Sequence, residues 1–464
     1  MFLSRAIVIA LVILAVHSSA ANDEQIIIRT FEDGSVYEGT FQDGLQHGHG
    51  TYRMPNGYEY SGTWVEGEIE GSGVAKFPNG SIYDGKFSKG KPHGIGKITR
   101  ADGSTYEGAW KTGTIEGQGI FEFTDGTRFE GNFHDGKFNG NGKMTRTDGY
   151  TYQGGWLNGI RQGNAQIKYP DGSFYDGQVV NNSYEGEGIL TRSDGFSYTG
   201  SWAAGRFHGN GLLTYPNQDT YKGEFSEGVK SGSGLMTFSN GDIYEGAFLN
   251  DKHHGKGDFR GSDSFTYSGD WVNGKLEGYG IAKYLNGSIY EGSFVADLPD
   301  GLGKILYADG TIYEGDWKSG VIQGSGRLEY PTGVIFEGEF SDGKFHGVGT
   351  LINSDNYRYA GHWKNGFRHG HGDAFYADGT QYSGEFVDDK REGFGISHLP
   401  NGFKYEGDWR AGEINGQGVA TYADGTVYEG NFRDGKRHGE GTIRYADGQE
   451  KTGVWNNGAL EADE

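Results

Sequence analysis

Apolar and polar positions alternate along this chain in short bursts, and the bursts return every 23 residues. Tyr106-Glu107-Gly108-Ala109-Trp110 reads aromatic, polar, glycine, small, aromatic, the period of two expected of a half-buried strand. A turn carrying Gly113 follows, and Gly117-Gln118-Gly119-Ile120-Phe121-Glu122-Phe123 then places Gly117, Gly119, Phe121 and Phe123 on one face of a second strand. Asp125-Gly126 closes the unit. Asp-Gly or Asn-Gly between strands predicts a tight hairpin turn in which both central residues take positive φ, and most units carry the dipeptide, as at Asn79-Gly80, Asp309-Gly310 and Asp424-Gly425.

Stepping by 23 from Tyr37 reaches an aromatic residue 18 times without insertion or deletion, ending at Tyr428, after which Lys451 opens a truncated unit. The glycines keep the same phase. Counted from the leading aromatic as offset zero, offsets 2, 7, 11, 13 and 20 hold 85 of the 87 glycines, and only Gly155 and Gly261 fall outside. Glycine inside a strand weakens it unless a ring or backbone must approach closely, so the inward glycines at offsets 2 and 13 predict that rings of a neighbouring strand or repeat lie across them. The expected fold is all-β: an elongated, twisted antiparallel β-hairpin repeat array, a β-solenoid-like ribbon with two strands per 23-residue repeat, each unit burying its neighbour's rings. At about 4.8 Å per strand, each repeat would advance the sheet by roughly 10 Å and the whole array by on the order of 170 Å.

A second period lies over the first. The residue at offset 4 alternates Phe41, Trp64, Phe87, Trp110, Phe133, Trp156 and resumes from Trp271 to Trp455, slipping around Val179, Trp202, Phe225 and Phe248. A 46-residue pair of repeats is the implied unit of duplication. The Tyr175 unit departs most, with Val179 for the ring and Asn182 for a turn glycine, and a bend is expected there. The organisation read from the chain is a signal peptide over 1–21, a capping half-repeat over 22–36, eighteen repeats over 37–450, and a truncated repeat with an acidic tail over 451–464.

Composition sharpens this picture. With 30 Tyr, 28 Phe and 9 Trp against a mean hydropathy of -0.66, the chain is too aromatic for a disordered one of equal polarity. Met1–Arg5, the apolar run Ala6–Val16 and the small residues Ser18-Ser19-Ala20-Ala21 form the three parts of a secretory signal peptide. The alternative, an uncleaved anchor helix, meets a run short of the roughly 20 apolar residues a bilayer requires. The chain is therefore expected to be exported, secreted or periplasmic. It has no cysteine, so the fold needs no disulfide and offers no thiolate. A net charge of -22 argues against nucleic acid and bare anionic lipid as partners.

Tyr-Glu-Gly-x-Trp/Phe, followed by spaced glycines and a closing Asp-Gly, resembles the MORN repeat. Tyr313-Glu314-Gly315-Asp316-Trp317 through Gly324-Ser325-Gly326 carries the pattern, as does Tyr428-Glu429-Gly430-Asn431-Phe432 through Gly439-Glu440-Gly441. The resemblance covers residues from about 25 to 458. It implies tethering, dimerisation or lipid-associated roles, with catalysis supplied by other domains such as the lipid kinase or methyltransferase segments found beside MORN arrays.

Candidate chemistry is sparse. His47, His93, His208, His254, His346, His369 and His438 share offset 10, where Glu70, Asn139 and Gln323 also stand, which marks an ordinary polar position flanking a turn. The i, i+2 pairs His47/His49 and His369/His371 would share a strand face and are the metal-binding candidates. The acids that follow the leading aromatic, such as Glu107, read as solvent-facing strand residues. No nucleophile triad, phosphate loop or cofactor motif is present, and neither a catalytic residue nor a cofactor is expected. Asn79, Asn181 and Asn286 stand in Asn-x-Ser sequons. The expected function is a non-enzymatic exported scaffold that presents its surface to a protein, glycan or envelope partner. A membrane tether is the alternative and an envelope-polymer hydrolase the remote one. Since repeated residues build the array, specificity is sought in the departures: Val179, Asn182, Asp251, His253, His254, Asp297 and Pro299.

Overall fold

A computed structural model describes residues 25–461. The signal peptide assigned to 1–21 lies outside the described residues, as do residues 22–24 of the half-repeat and the last three of the acidic tail. The described residues hold 39 strands and no helix, hence no helix long and apolar enough to cross a membrane. They fall into two compact units, one ending at Val229 and one beginning at Lys230. Within each unit every strand pairs antiparallel with the next in sequence, as Thr105–Lys111 pairs with Thr114–Glu122 and Ile312–Lys318 with Val321–Glu329.

Each repeat is a hairpin of a seven-residue leading strand and a nine-residue returning strand. The two lengths are reconciled by a bulge. Gly108 pairs with Gly119 and Trp110 with Ile115, so between these pairs one residue of the leading strand faces three of the returning one. Gly117, at φ 87°, lies within the bulge, a backbone region that costs other residues dearly.

The core is one layer of rings on one face of the sheet. All eighteen leading aromatics are at most 2% exposed. The tyrosine rings lie across the two inward glycines of their own hairpin, as Tyr106 does over Gly108 and Gly119, rather than those of a neighbouring repeat. A Cβ added at Gly108 would sit 2.6 Å from the Tyr106 hydroxyl, and one at Gly119 2.5 Å from the same atom. The hydroxyl passes beyond the glycines and donates to the carbonyl at offset 3, as Tyr106 does to Ala109 at 2.9 Å. Burial pushes this phenol up to about 12, so it stays a neutral donor. Perpendicular rings tie one repeat to the next: Trp110 stands edge-on to Tyr106 (5.5 Å) and to Tyr83 of the preceding repeat (5.1 Å). Eight of the nine tryptophans also donate Nε1–H to the carbonyl of the offset-13 glycine one repeat back, as Trp110 does to Gly96 at 3.1 Å.

The two turn types exchange the places the sequence suggested. At the Asp-Gly end only the glycine is left-handed. Gly126 has φ 80° and donates to Phe123 O (3.0 Å), while Phe123 N donates to Thr127 O (2.8 Å). This is a type I turn followed by a left-handed glycine. The aspartate is there for its side chain, because Asp125 Oδ1 accepts Thr127 N–H at 2.8 Å. The turn with two left-handed residues is the other one: Thr112 (φ 51°) and Gly113 (φ 86°). Its first residue is never glycine, and includes Lys89, Thr112 and Ala204. A β-branched residue is poorly suited to that conformation, so Thr112→Asn is expected to stabilise its repeat by about 0.5–1 kcal/mol, read as slower amide exchange across Thr105–Glu122.

The left-handed residue is supported from the preceding repeat. In eleven of the described repeats its N–H is met by the side chain at offset 10, a position where each residue carries an acceptor. Glu70 Oε2 accepts Lys89 N–H (3.2 Å), Gln323 Oε1 accepts Asp342 N–H (3.1 Å), and His93 Nδ1 faces Thr112 N–H (3.4 Å). That requirement explains why His, Glu, Asn and Gln interchange at this phase.

Candidate functional site

The departures from the repeat were the places to seek a site, and most of them prove to be structural solutions. Asn182, Asp251 and Asp297 occupy the glycine position of the left-handed turn, with φ of 68°, 68° and 75°. Each donates its backbone N–H to the carbonyl at offset 9 one repeat back, as turn glycines do. Each also accepts that residue's own N–H on its side chain: Arg161 N–H to Asn182 Oδ1 (3.1 Å), Lys230 N–H to Asp251 Oδ1 (2.9 Å), Leu276 N–H to Asp297 Oδ1 (2.7 Å). Asp389 repeats the arrangement with Arg368 (2.9 Å). A turn glycine has no side chain to offer that N–H. Proline, which lacks the donor, therefore fits offset 9, and Pro299 sits there before the glycine turn at Gly320.

His253 is a ring among rings. It lies parallel to Tyr244 at 3.6 Å, edge-on to Phe248 (5.4 Å) and Trp271 (5.1 Å). Burial, with a lesser contribution from Lys230, pushes its pKa down from 6.5 to about 4. The folded chain thus refuses a proton that the unfolded chain accepts. The stability this residue gives is complete above pH 6.5 and falls as the pH drops toward 4. His253→Phe, the residue found at Phe207 and Phe345 in the same phase, is expected to remove that loss. The variant should gain about 1 kcal/mol on the parent between pH 7.5 and pH 5, after discount for partial exposure. Urea unfolding at both pH values measures it.

The histidine pairs His47/His49 and His369/His371, expected to share a strand face, do not assemble a metal site. Gly48 (φ 70°) and Gly370 (φ 67°) lie between the pair members, within the bulge, which breaks the alternation that would align them. His47 is turned to the next repeat's turn, where its Nδ1 faces Glu66 N–H (3.4 Å). His49, the last residue of the bulge, is exposed and lies opposite Thr63 of the next strand. The second pair divides in the same way, His369 approaching Asp388 (3.7 Å) and His371 approaching Glu385 (3.9 Å). His254 Nδ1 and His369 Nδ1 are buried without a hydrogen-bond partner. Among the described residues, one group of three candidate ligands draws within 4.8 Å, and it holds neither pair: Glu116, His134 and Asp135. His134 Nδ1 meets Glu116 Oε1 at 2.9 Å and Glu116 Oε2 accepts Asp135 N–H at 3.1 Å. The hydrogen bond that His134 donates to the Glu116 carboxylate raises the His134 pKa, so the group is satisfied as an ion pair. Glu116 holds the turn acceptor position and the residues are 18 and 19 apart in sequence, so only the 23-residue register could have revealed the grouping.

Val179 is different. It is 1% exposed and pairs with Tyr184, where other repeats place a ring against the offset-9 side chain. Beside it an open cleft of about 650 Å³ runs across the ring face of the first unit. Its floor includes Tyr184, Leu190, Trp202 and Phe207. Tyr184 lies 3.7 Å from Tyr175 and 13° from parallel; Phe207 lies 3.9 Å from Tyr198 and 21° from parallel. Trp202 stands between the stacks, nearly perpendicular to both, 4.9 Å from Tyr184 and from Phe207. The inner ring of each stack rests on paired glycines, Gly177/Gly188 and Gly200/Gly211. The rim is polar and of mixed sign. Arg192 lies over Phe196 at 4.4 Å, and Arg206 bonds Glu227 at 2.6 Å. Asp171 Oδ1 and Asp194 Oδ1 accept the N–H of Ser173 and Phe196, both at 2.9 Å. Hydrogen bonds from Ser173 hold the Asp171 carboxyl below its ordinary value. Tyr169 and Tyr184 share a hydrogen bond between their hydroxyls.

The repeats next to the cleft are also the least regular. Ala165 replaces an inward glycine opposite Gly154, and the residue after Gly154 is the out-of-phase Gly155, whose added Cβ would collide with Gln162 O. Tyr150 Oη and Trp156 Nε1 are buried without partners. Val179 pointed to this neighbourhood in the sequence, but the stacking role of offset 9 was not visible there, since the position holds rings, arginines, prolines and aliphatics alike.

Comparison with known proteins bears on the whole array. The family model described as MORN repeat matches eighteen segments, from 37–57 and 60–82 through to 405–427 and 428–450. A stretch of 50 residues is 46% identical to alsin of Rattus norvegicus, covering 10% of this chain and 3% of alsin. Among solved structures, the Drosophila melanogaster SAS-4 TCP domain, in complex with a proline-rich motif of Ana2, aligns at TM-score 0.20 and 11% identity, over 42% of this chain and 88% of that one. The wild-type TCP10 domain of Danio rerio CPAP aligns at TM-score 0.14 and 14% identity, over 57% and 93%. A streptogramin B lyase aligns at TM-score 0.11 and 13% identity, over 62% and 89%. Likenesses this low bear on no function.

Proposed function

The chain belongs to the MORN-repeat family, and from that premise we propose that it is a non-enzymatic, exported binding scaffold that holds an extended polymer partner on its ring face. The observation that carries this reading is the cleft beside Val179, where the array breaks its own pattern and leaves two flat ring stacks lining an open groove. The cleft's acids are engaged in holding their turns, which suits binding better than acid–base chemistry. A rigid, prestacked groove binds without an ordering cost of its own. Export rests on the leader read over 1–21.

A photo-crosslinking residue placed at Phe207, and another at Ile189, which is 44% exposed, test the reading in the native compartment. Crosslinked product is expected from position 207 and not from position 189. Equal labelling, or none from either, would sink the groove reading. Flotation of the purified protein with phosphatidylcholine–phosphatidylglycerol vesicles tests the membrane tether instead, and binding there that survives Tyr184→Leu/Phe207→Leu would replace the groove as the site of function.

A further inference from the structure

We propose that the groove over Tyr184, Trp202 and Phe207 is a subsite for a neutral oligosaccharide. The inference rests on the scaffold reading above and names the chemistry of its ligand. Its basis is the way the rings are presented. Tyr184 and Phe207 are each the outer member of a parallel pair. Trp202 stands steeply to both stacks and beside them: it is 5.6 Å from the inner Tyr175 and 4.9 Å from the outer Tyr184, too close to both to lie on top of the outer ring. It is also 4.9 Å from Phe207, which Phe196 flanks at 6.3 Å and 23° from parallel, beyond the separation of a full face-to-face stack. The outward faces of Tyr184 and Phe207 are therefore flat apolar surfaces lining open space. They recur one repeat apart, at roughly 10 Å.

Flat apolar platforms at a fixed interval, with hydrogen-bonding groups at their edges, suit a polymer of rings whose faces are C–H and whose rims are hydroxyl. The edges here supply both kinds of partner. Arg192 is a donor; Ser193 Oγ, which donates to Asp171 O at 3.3 Å, keeps its lone pairs, and the carboxylates of Asp171 and Asp194 keep Oδ2 as an acceptor after Oδ1 has bonded its own turn. A rim with both signs of charge favours a neutral hydroxylated chain over a polyanion, and the net charge of -22 opposes single-stranded nucleic acid, the other ligand that stacks on rings. A polypeptide bound as an added strand needs an open sheet edge. None exists in the groove, because strand Ser183–Thr191 is paired on both sides, with Phe174–Val180 and with Ser197–Ala203.

The array also shows which substitutions the fold accepts. Leu276, Ile322 and Ile414 occupy the phase of Tyr184 and Phe207 in other repeats, so Tyr184→Leu/Phe207→Leu removes the flat faces while keeping an apolar cover over Tyr175 and Tyr198. The test is titration calorimetry of the purified full chain with chitohexaose and cellohexaose. The parent is expected to bind at least one of them, the double leucine variant roughly ten-fold or more weaker, and an Ile189→Ser variant on the opposite face as tightly as the parent, with unchanged circular dichroism in all three. Failure of both sugars to bind, or equal binding by the leucine variant, overturns the sugar assignment. An extended peptide or oligodeoxythymidine probe that binds the parent but not the leucine variant would overturn the sugar assignment and leave the groove a binding site. Loss of the position-207 crosslink described above is what would bring down the scaffold reading itself.

Discussion

Gly303→Ala is expected to open its repeat, at a cost of about 3 kcal/mol. The added methyl would fall on the hydroxyl and Cζ of Tyr290 and 2.6 Å from its Cε2, while Gly303 faces Gly292 across the hairpin with the ring lying over both. The ring cannot retreat. It is wholly buried, its hydroxyl is fixed to Ser293 O at 3.0 Å, and Phe294 and Trp317 stand against it at 5.0 and 5.3 Å. Each repeat contacts only its neighbours, so the damage should be local. Hydrogen exchange of strands Ile289–Val295 and Leu298–Leu306 is expected to accelerate strongly, that of the next repeat less, and that of distant repeats not at all; uniform acceleration would contradict the stacked-unit account. The molecule carries its own precedent for a partial rescue. Where Ala165 stands at this phase, residue 155 at offset 3 is glycine, and a Cβ there would fall on Gln162 O. Ser293→Gly added to Gly303→Ala is therefore expected to recover part of the loss, and a double-mutant cycle should show coupling of about 1 kcal/mol.

That pairing shows which parts of the structure were legible in the sequence. The strands, their inward face and the close approach at offsets 2 and 13 all follow from side-chain alternation and glycine phase, because both are imposed by one hairpin on itself. What the sequence hid was the direction of the approach. The ring over Gly108 and Gly119 comes from Tyr106 in the same hairpin, an arrangement created by a bulge that leaves no residue-type signature beyond Gly117. The same bulge undid the expected alignment of His47 with His49, since strict alternation does not survive a left-handed Gly48 between them. The turn assignment failed for a related reason. Asp-Gly is compatible with two turn geometries, and here the aspartate serves as a side-chain acceptor, while Thr112, Lys89 and Ala204 accept the left-handed conformation with an imidazole or carboxylate of the preceding repeat meeting their N–H. Such support crosses repeats 19 residues apart, beyond the reach of local propensity. The cleft was half legible. Val179 advertised it, but Tyr184 and Phe207 looked like ordinary strand residues until the parallel stacks were seen. Asn182, Asp251, Asp297 and Pro299 were legible as departures, yet they answer to a single backbone position, the N–H at offset 9.

Removing a leading ring should be the most damaging single change on the ring face, and two substitutions at Tyr313 separate its contributions. Tyr313→Phe loses only the hydrogen bond to Asp316 O, 2.9 Å long, and is expected to cost about 1 kcal/mol; Phe129 and Phe336 already fill the same phase and are fully buried. Tyr313→Ala removes the ring itself. The expected cost is about 4 kcal/mol, the transfer of a large buried ring together with the cavity it leaves. The cavity cannot close cheaply. Its walls are Trp317 of the same repeat at 5.5 Å and Phe340 of the next at 5.1 Å, and Trp317 is also held by Tyr290 at 5.3 Å and by its bond to Gly303 O at 3.2 Å. Phe340, by contrast, has its other ring contacts within its own repeat, with Phe336 at 5.1 Å and Phe345 at 5.7 Å. The alanine variant should therefore cut the packing between two repeats, and calorimetry of the Lys230–Glu461 region should show one cooperative transition resolving into two around residue 313. A single transition merely shifted downward would mean that the backbone ladder, rather than the ring layer, carries cooperativity along the array.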